Sequence, residues 1–457
     1  MPTPNEKLLA DIFGDDSLIY ETKLTTGGFV MTRFYPRAVS ANGELIIPAM
    51  INDKPVVGVA SYALAPFLDS DVLDRVVRIV VPGTVSVIEY LALSGTGIPI
   101  KVNPANPTYS SDEVGALFDK EKTVLISYPT RAKIAEYRIP NTVVQIGAEA
   151  LAFCESLATV FIPASVERIE EGSFLASEFQ LEVDPDNRNF SSIDGVLFDK
   201  TQTTILRYPP NAPSETYAIP NTVTKLDAGA FTSCENLSTV ILPASVEQID
   251  PRAFIGCNLA IEVVEDNPNF RSVSGLLFDK SGETLLLSLL EEPEIPDGTK
   301  RIGADAFNPY NSIPSIHIPA SVESIGERAF SDCCTLETVT FSDGALESIA
   351  DFAFSSCFSL TSVVLPHGLR SIGKEAFARC YDLKELVLPE GLTSLGANAF
   401  AECYSLRSVV LPKSLVEIGE DPFKRIDMDR PLKLTVYKDS YAEKWAKEND
   451  VEYEVIE

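Results

Sequence analysis

The sequence predicts a β-rich α/β solenoid of about twelve stacked units of the 23-residue type, with inserted β-hairpins and a cap at each end. Three observations predict it. An apolar marker recurs twelve times along the chain, at a step of 23 or 24 residues from Ile302 on. Short period-two runs follow each marker. A longer repeat of 80 residues overlies the first, carried by Leu117-Phe118-Asp119-Lys120, Leu197-Phe198-Asp199-Lys200 and Leu277-Phe278-Asp279-Lys280. A fixed period in this range means that each unit is one supersecondary turn, which buries its apolar side only against its neighbours.

The marker is the Ile, Leu or Val at 59, 88, 146, 169, 226, 249, 302, 325, 349, 372, 395 and 418. From Ile302 on, the steps are 23, 24, 23, 23 and 23 residues. Five residues beyond each marker stands Leu or Phe: Leu64, Leu93 and Leu151, then Phe from Phe174 to Phe423. This period is that of leucine-rich repeats. Within one unit, Leu360 to Pro366 alternates and reads as a strand with Leu360, Val363 and Leu365 facing inward. Pro366 has no N–H and ends it. Leu369 to Ile372 gives a second extended piece, Gly373 turns the chain, and Glu375 to Arg379 suits a single helical turn. Stacking such units predicts a continuous internal column of Phe rings. Each Leu-Phe-Asp-Lys follows a turn-rich start such as Asn187-Arg188-Asn189-Phe190 and precedes another β-run, which predicts a hairpin inserted into each long unit.

Five segments follow: an extension over 1–17, a β cap over 18–58, repeats with three hairpin insertions over 59–301, regular repeats over 302–426, and a cap over 427–457. Within the first cap, 18–47 reads as strands, with Phe29 to Tyr35 the best of them. In the last, Ser440-Tyr441-Ala442-Glu443 is a capping box that opens a helix to about Glu448.

The repeat Leu-x-x-Val-x-Leu-Pro, Ile-Gly, Ala-Phe-x-x-Cys resembles the BspA-like leucine-rich repeats, as do the Leu-Phe-Asp-Lys units and Ser440-Tyr441-Ala442-Glu443-Lys444-Trp445-Ala446. The resemblance covers roughly residues 18–457. It implies a right-handed solenoid and, from many bacterial members, a surface or secreted protein engaged in adhesion or partner binding. It brings no catalytic residues. The amino terminus shows no basic segment leading into an apolar run, which by itself reads as cytoplasmic.

Composition narrows the function. The chain carries 37 Lys and Arg against 66 Asp and Glu, a net charge of −29. That excludes a nucleic-acid binder, which needs clustered cations, and an anchor to an anionic leaflet. No apolar stretch approaches the length of a membrane span. Two His and one Trp make a multi-His metal site or an aromatic sugar cleft hard to build, and no cofactor is expected. His317 lies at an outward strand position and His367 follows Pro366; with no Gly-x-Ser-x-Gly or His-Glu-x-x-His motif, both read as surface histidines.

Seven of the eight Cys stand eight residues beyond a marker: 154, 234, 257, 333, 357, 380 and 403. A disulfide ladder or metal cluster is one reading. Stacked side chains point the same way, which disfavours bridging, so a column of buried free thiols acting as small hydrophobes is the other. Cys334 stands outside the column, where a thiol can be exposed. Asp184-Pro185-Asp186-Asn187 and Glu265-Asp266-Asn267 offer oxygen ligands for Ca²⁺, yet Asp and Asn also simply close turns.

The remaining candidate is the outward face of the main sheet. Between the inward strand positions lie Phe161, Ile241, His317, Thr340, Val364, Val387 and Val410. Two places earlier lie Thr159, Thr239, Ser315, Thr338, Ser362, Glu385 and Ser408. An apolar stripe beside a hydroxyl stripe marks a partner surface if exposed, or serves strand propensity alone. The expected function is a non-enzymatic scaffold for a protein or glycan partner. Two rivals stand beside it: an adhesive surface module with no single ligand, and a hydrolase built on a carboxylate pair.

Overall fold

The computed structural model describes residues 20–34, 39–64, 73–89, 92–93, 97–307, 312–424 and 432–457. The 1–17 extension and Tyr35 lie outside these residues. The chain divides into two compact units, 1–201 and 202–457. Each is a β-solenoid of stacked turns with little helix.

A repeat contributes one strand to each of two parallel ladders. In the second unit, Arg301–Ile302, Ser324–Ile325, Ser348–Ile349, Ser371–Ile372, Ser394–Leu395 and Glu417–Ile418 pair in register as one ladder. Ser315–Ile318, Thr338–Phe341, Ser362–Val364 and Glu385–Val387 form the other. Leu360, Val363 and Leu365 are buried as their alternation requires. The turn between the ladders is tight. A Cβ on Gly396 would meet the carbonyl carbon of Gly373 at 2.4 Å, so backbone of one unit lies directly on backbone of the last.

The segment expected as a helical turn is instead a third ladder. Glu375 and Arg379 have positive φ, 52° and 61°, and the same two positions are left-handed in unit after unit. That alternation aims backbone N–H groups sideways. Those of Glu375, Phe377 and Arg379 donate to the carbonyls of Ala397, Ala399 and Ala401 in the next unit, at 2.8–2.9 Å. Among the described residues the unit of Ile249 alone turns helical there: Arg252 is not left-handed, and a 3₁₀ turn forms over Pro251–Phe254 with Pro251 suited to its first position.

Six rings stack inside the second unit. Phe307, Phe330, Phe354, Phe377, Phe400 and Phe423 lie 4.3–5.7 Å apart, with planes within 18° of parallel. Phe231 and Phe254 stack likewise, at 4.9 Å. In the first unit Leu64, Leu93 and Leu151 hold the position, and Phe174 meets Phe179 edge-on at 5.7 Å. The position is therefore aromatic in stretches, with leucine in place of phenylalanine at 64, 93 and 151.

The Cys column is buried and none of the eight cysteines is in a disulfide, with Cys334 alone exposed. Its role is more specific than filling space. The thiols of Cys357, Cys380 and Cys403 donate to the carbonyls of Phe330, Phe354 and Phe377, one unit back, at 3.2–3.3 Å. Ser177 holds the same position in the unit of Ile169, and its hydroxyl donates to Leu151 O at 2.7 Å. Burial pushes the Cys333 thiol up to about 12 and those of Cys357 and Cys380 well above the usual range, so these thiols stay protonated.

The long repeat is a meander. Tyr109–Ser111, Leu117–Asp119 and Val124–Ser127 pair antiparallel, and the last strand joins the parallel ladder through Gln145–Ile146. Phe270–Val273, Leu276–Asp279 and Thr284–Leu287 repeat this in the second unit. The suspected calcium ligand Asn187 is instead a buried latch. Its Nδ2 donates to Pro163 O and Val166 O, and its Oδ1 accepts from the N–H groups of Asn189 and Phe190, all at 2.8–2.9 Å. Asn106 and Asn267 do the same. Lys120, Lys200 and Lys280 each donate to a carbonyl of the same turn, at 2.9 Å.

The helix expected after Ser440 forms over Tyr441–Glu448, with Ser440 Oγ accepting from Glu443 N. A strand that the sequence reading missed, Tyr453–Ile456, closes the sheet beside Lys433–Tyr437.

Two outcomes check this account. Cys380→Ser keeps a donor to Phe354 O and is expected to cost less stability than Cys380→Ala, which loses about 1–2 kcal/mol. Denaturant titration of both variants decides it; Ser as the worse substitute would mean that the thiol merely fills space. Asn187→Ala removes four hydrogen bonds and is expected to cost about 2–4 kcal/mol. A loss below about 0.5 kcal/mol in the same titration would contradict the latch.

Candidate functional site

The seven outward positions fall in four separate sheets. Phe161 belongs to the first unit, on Thr159–Ile162. It is half-buried, with the Arg138 guanidinium 3.6 Å from its ring centroid and Glu182 on its other side. Ile241 is half-buried between Ala218 and Glu262. In both, the strand that leads into the meander brings a glutamate into the outward row and ends the apolar run. No single stripe joins all seven.

The other five lie together in the second unit. His317, Thr340, Val364 and Val387 occupy neighbouring strands of one sheet. Val410 follows on Ser408–Leu411, paired with Thr435, and Glu454 ends the row. Val364, Val387 and Val410 are 67%, 58% and 46% exposed. From Thr340 to Thr435 the row is uncharged and β-branched. The hydroxyl row beside it carries Thr338, Ser362 and Ser408, broken by Glu385.

Three half-buried rings form a further ladder along the corner of the same units. Phe358, Tyr381 and Tyr404 stack at 5.0 and 5.4 Å, and each follows a column Cys. The doublets Cys357-Phe358, Cys380-Tyr381 and Cys403-Tyr404 announced this ladder in the sequence. Cys334 holds the same position one unit earlier, without a ring, and is exposed.

Both histidines are at the surface, and both are engaged. His317 Nδ1 lies 2.9 Å from Thr340 Oγ1, and its Nε2 lies 3.1 Å from Ser342 Oγ. His367 Nδ1 lies 3.0 Å from Asp343 Oδ1, which also accepts from the His367 backbone N–H. The His367 hydrogen bond holds the Asp343 carboxyl below the usual carboxylate range. Sequence inspection missed this grouping because Ser342 and Asp343 are distant from both histidines along the chain. Among the described residues no group of three His, Cys, Asp or Glu is placed to share a metal ion. No helix among them is long and apolar enough to cross a membrane.

Comparison with known proteins places the repeat. Residues 129–218, 210–283 and 300–429 match the sequence profile described as BspA type leucine rich repeat region. No curated protein matches the chain. Among solved structures, a leucine-rich repeat protein from Bacteroides ovatus shares 20% identity, over 97% of this chain and 100% of its own, with a TM-score of 0.41. A leucine rich cell surface protein from Faecalibacterium prausnitzii shares 20% identity over 91% of this chain and 95% of its own, with a TM-score of 0.38. A leucine-rich repeat protein from Eubacterium ventriosum has the same identity and coverage, with a TM-score of 0.35. With its profile match spanning more than half of its residues, the chain belongs to the BspA-type leucine-rich repeat family.

Proposed function

We propose that this protein is a non-enzymatic scaffold whose outward sheet face in the second unit binds a protein partner. The observation that carries this reading is the exposure of Val364, Val387 and Val410 in one uncharged row of a chain with a net charge of −29. Elsewhere in the outward rows, Arg138 covers Phe161 and glutamates flank Ile241 and Phe161. Three adjacent valines left open have no role in the core, because Val363, Leu386 and Val409 already fill it.

Covering a valine fully releases about 1.5 kcal/mol or more, so the three supply only part of a specific complex. The rest comes from the polar rim, as at other interfaces. That rim holds Ser362, Ser408 and Glu385 on one side and His367, Glu390 and Lys413 on the other. A protein partner fits this row better than a sugar, since the exposed centre is aliphatic. Placement at a cell surface or in adhesion is part of the same proposal and rests on the family.

Replacing Val364, Val387 and Val410 together by Lys is expected to weaken partner capture by about 100-fold or more, roughly 3 kcal/mol. The fold is expected to persist, because all three side chains already face water. Capture from host cells, quantified for parent and variant side by side, checks this. Equal recovery by the variant would remove the sheet face from the account.

A further inference from the structure

Among the regular repeats from Ile302 on, the pattern breaks at one place. The residue that follows the outward strand there is Pro in four units, Pro319, Pro366, Pro389 and Pro412, but Ser342 in the unit of Ile325; otherwise Pro gives way only where a strand leads into a meander, at Asn103, Asp184 and Val264. The unit of Ile325 is also the one with a 24-residue step, and the extra residue falls in the Ser342-Asp343-Gly344 turn. The chain has only two histidines, and they come from the units on either side. His317 reaches Ser342, and His367 reaches Asp343. A repeat maintained only for packing gives no reason for such a departure, and local rules that fail together are expected at functional positions.

We propose that Ser342 is a nucleophile activated by His317, and that it takes an acyl group from an activated ester. The contacts are those of a nucleophile–base–orienter set. With the proton on Nδ1, His317 donates to Thr340 Oγ1 at 2.9 Å and leaves Nε2 free to accept from Ser342 Oγ at 3.1 Å. Thr340 is the positioning residue that holds the imidazole in this orientation; its hydroxyl can accept from Nδ1–H, a part that a carboxylate plays more strongly in a triad. Ser342 is half-buried and His317 exposed, so an ester in solution reaches both.

In the step, Ser342 Oγ attacks the ester carbonyl carbon and its proton passes to His317 Nε2. The new Oγ–C bond forms, the bond to the leaving oxygen breaks, and the imidazolium returns its proton to the departing alkoxide or aryloxide. The products are an acyl-Ser342 ester and a free alcohol. The open sheet face selects no particular acyl chain, so small aryl esters serve as probe. This site extends the scaffold reading and does not depend on the valine row.

The test uses the full chain with p-nitrophenyl acetate and peptide mass spectrometry. Ser342 is expected to acetylate at least about 10-fold faster than Ser408, a modest share of the roughly 10²–10⁴-fold that a positioned base can give. His317→Gln is expected to bring Ser342 down to the Ser408 rate. Free imidazole is expected to restore the lost rate in His317→Gly, which a purely structural role for His317 would not allow. Circular dichroism shows whether each variant stays folded. Acetylation of Ser342 at the Ser408 rate in the parent chain, or an unchanged rate in folded His317→Gln, would overturn the proposal.

Discussion

Each unit of this protein is held by hydrogen bonds that run sideways. The marker strands, the outward strands and the turn segments all spend their backbone groups on the neighbouring unit. Even the buried thiols donate one unit back. A single unit therefore has almost no way to satisfy its own backbone, and it buries its Phe and Leu only against another copy of itself. That dependence fixes the step length. It also fixes the conformation of the turns and the small residues that let backbone lie on backbone, as at Gly373 and Gly396.

The same dependence sorts the surface. A position that faces inward or sideways is constrained in every unit, so it repeats. Only outward positions are free to differ, and they are where one unit is distinguishable from the next. The meanders use this freedom to end an apolar row, with Glu182 beside Phe161 and Glu262 beside Ile241. The regular repeats leave the row open at Val364, Val387 and Val410. Ser342 and Asp343 depart from the pattern just past an outward strand, where the backbone N–H of Ser342 still donates to Ile318 O at 2.9 Å and the side chains face outward. Function in such a scaffold is written in departures from the repeat.

Much of the fold was legible because the inward positions repeat. The markers, the alternating strand around Val363, the hairpins and the Ser440 cap are all local or periodic signals. The turn segment was misread as helical because Glu375-Ala376-Phe377-Ala378-Arg379 has good helix formers. Nothing in those residue types announces left-handed φ at Glu375 and Arg379, which is imposed by the sideways ladder. Asn187 looked like a cation ligand because an amide oxygen beside carboxylates fits both a cation and a turn. The four-bond latch depends on Pro163 and Val166, in the preceding repeat. The outward row was placed on strands correctly, yet its division among four sheets was hidden, because sheet breaks arise where the meanders enter. The His317–Ser342 contact spans 25 residues and leaves no local signature.

The central claim, that turn segments are a load shared between units, is tested most directly by native-state hydrogen exchange. The amide N–H groups of Phe354 and Phe377 donate to Ala376 O and Ala399 O at 2.7 and 2.8 Å. They are expected to exchange as slowly as those of Ile349 and Ile372 in the marker ladder, and to lose protection together with them as denaturant is added. Exchange of the Phe amides at the rate of open loops, while the marker strands stay protected, would contradict it.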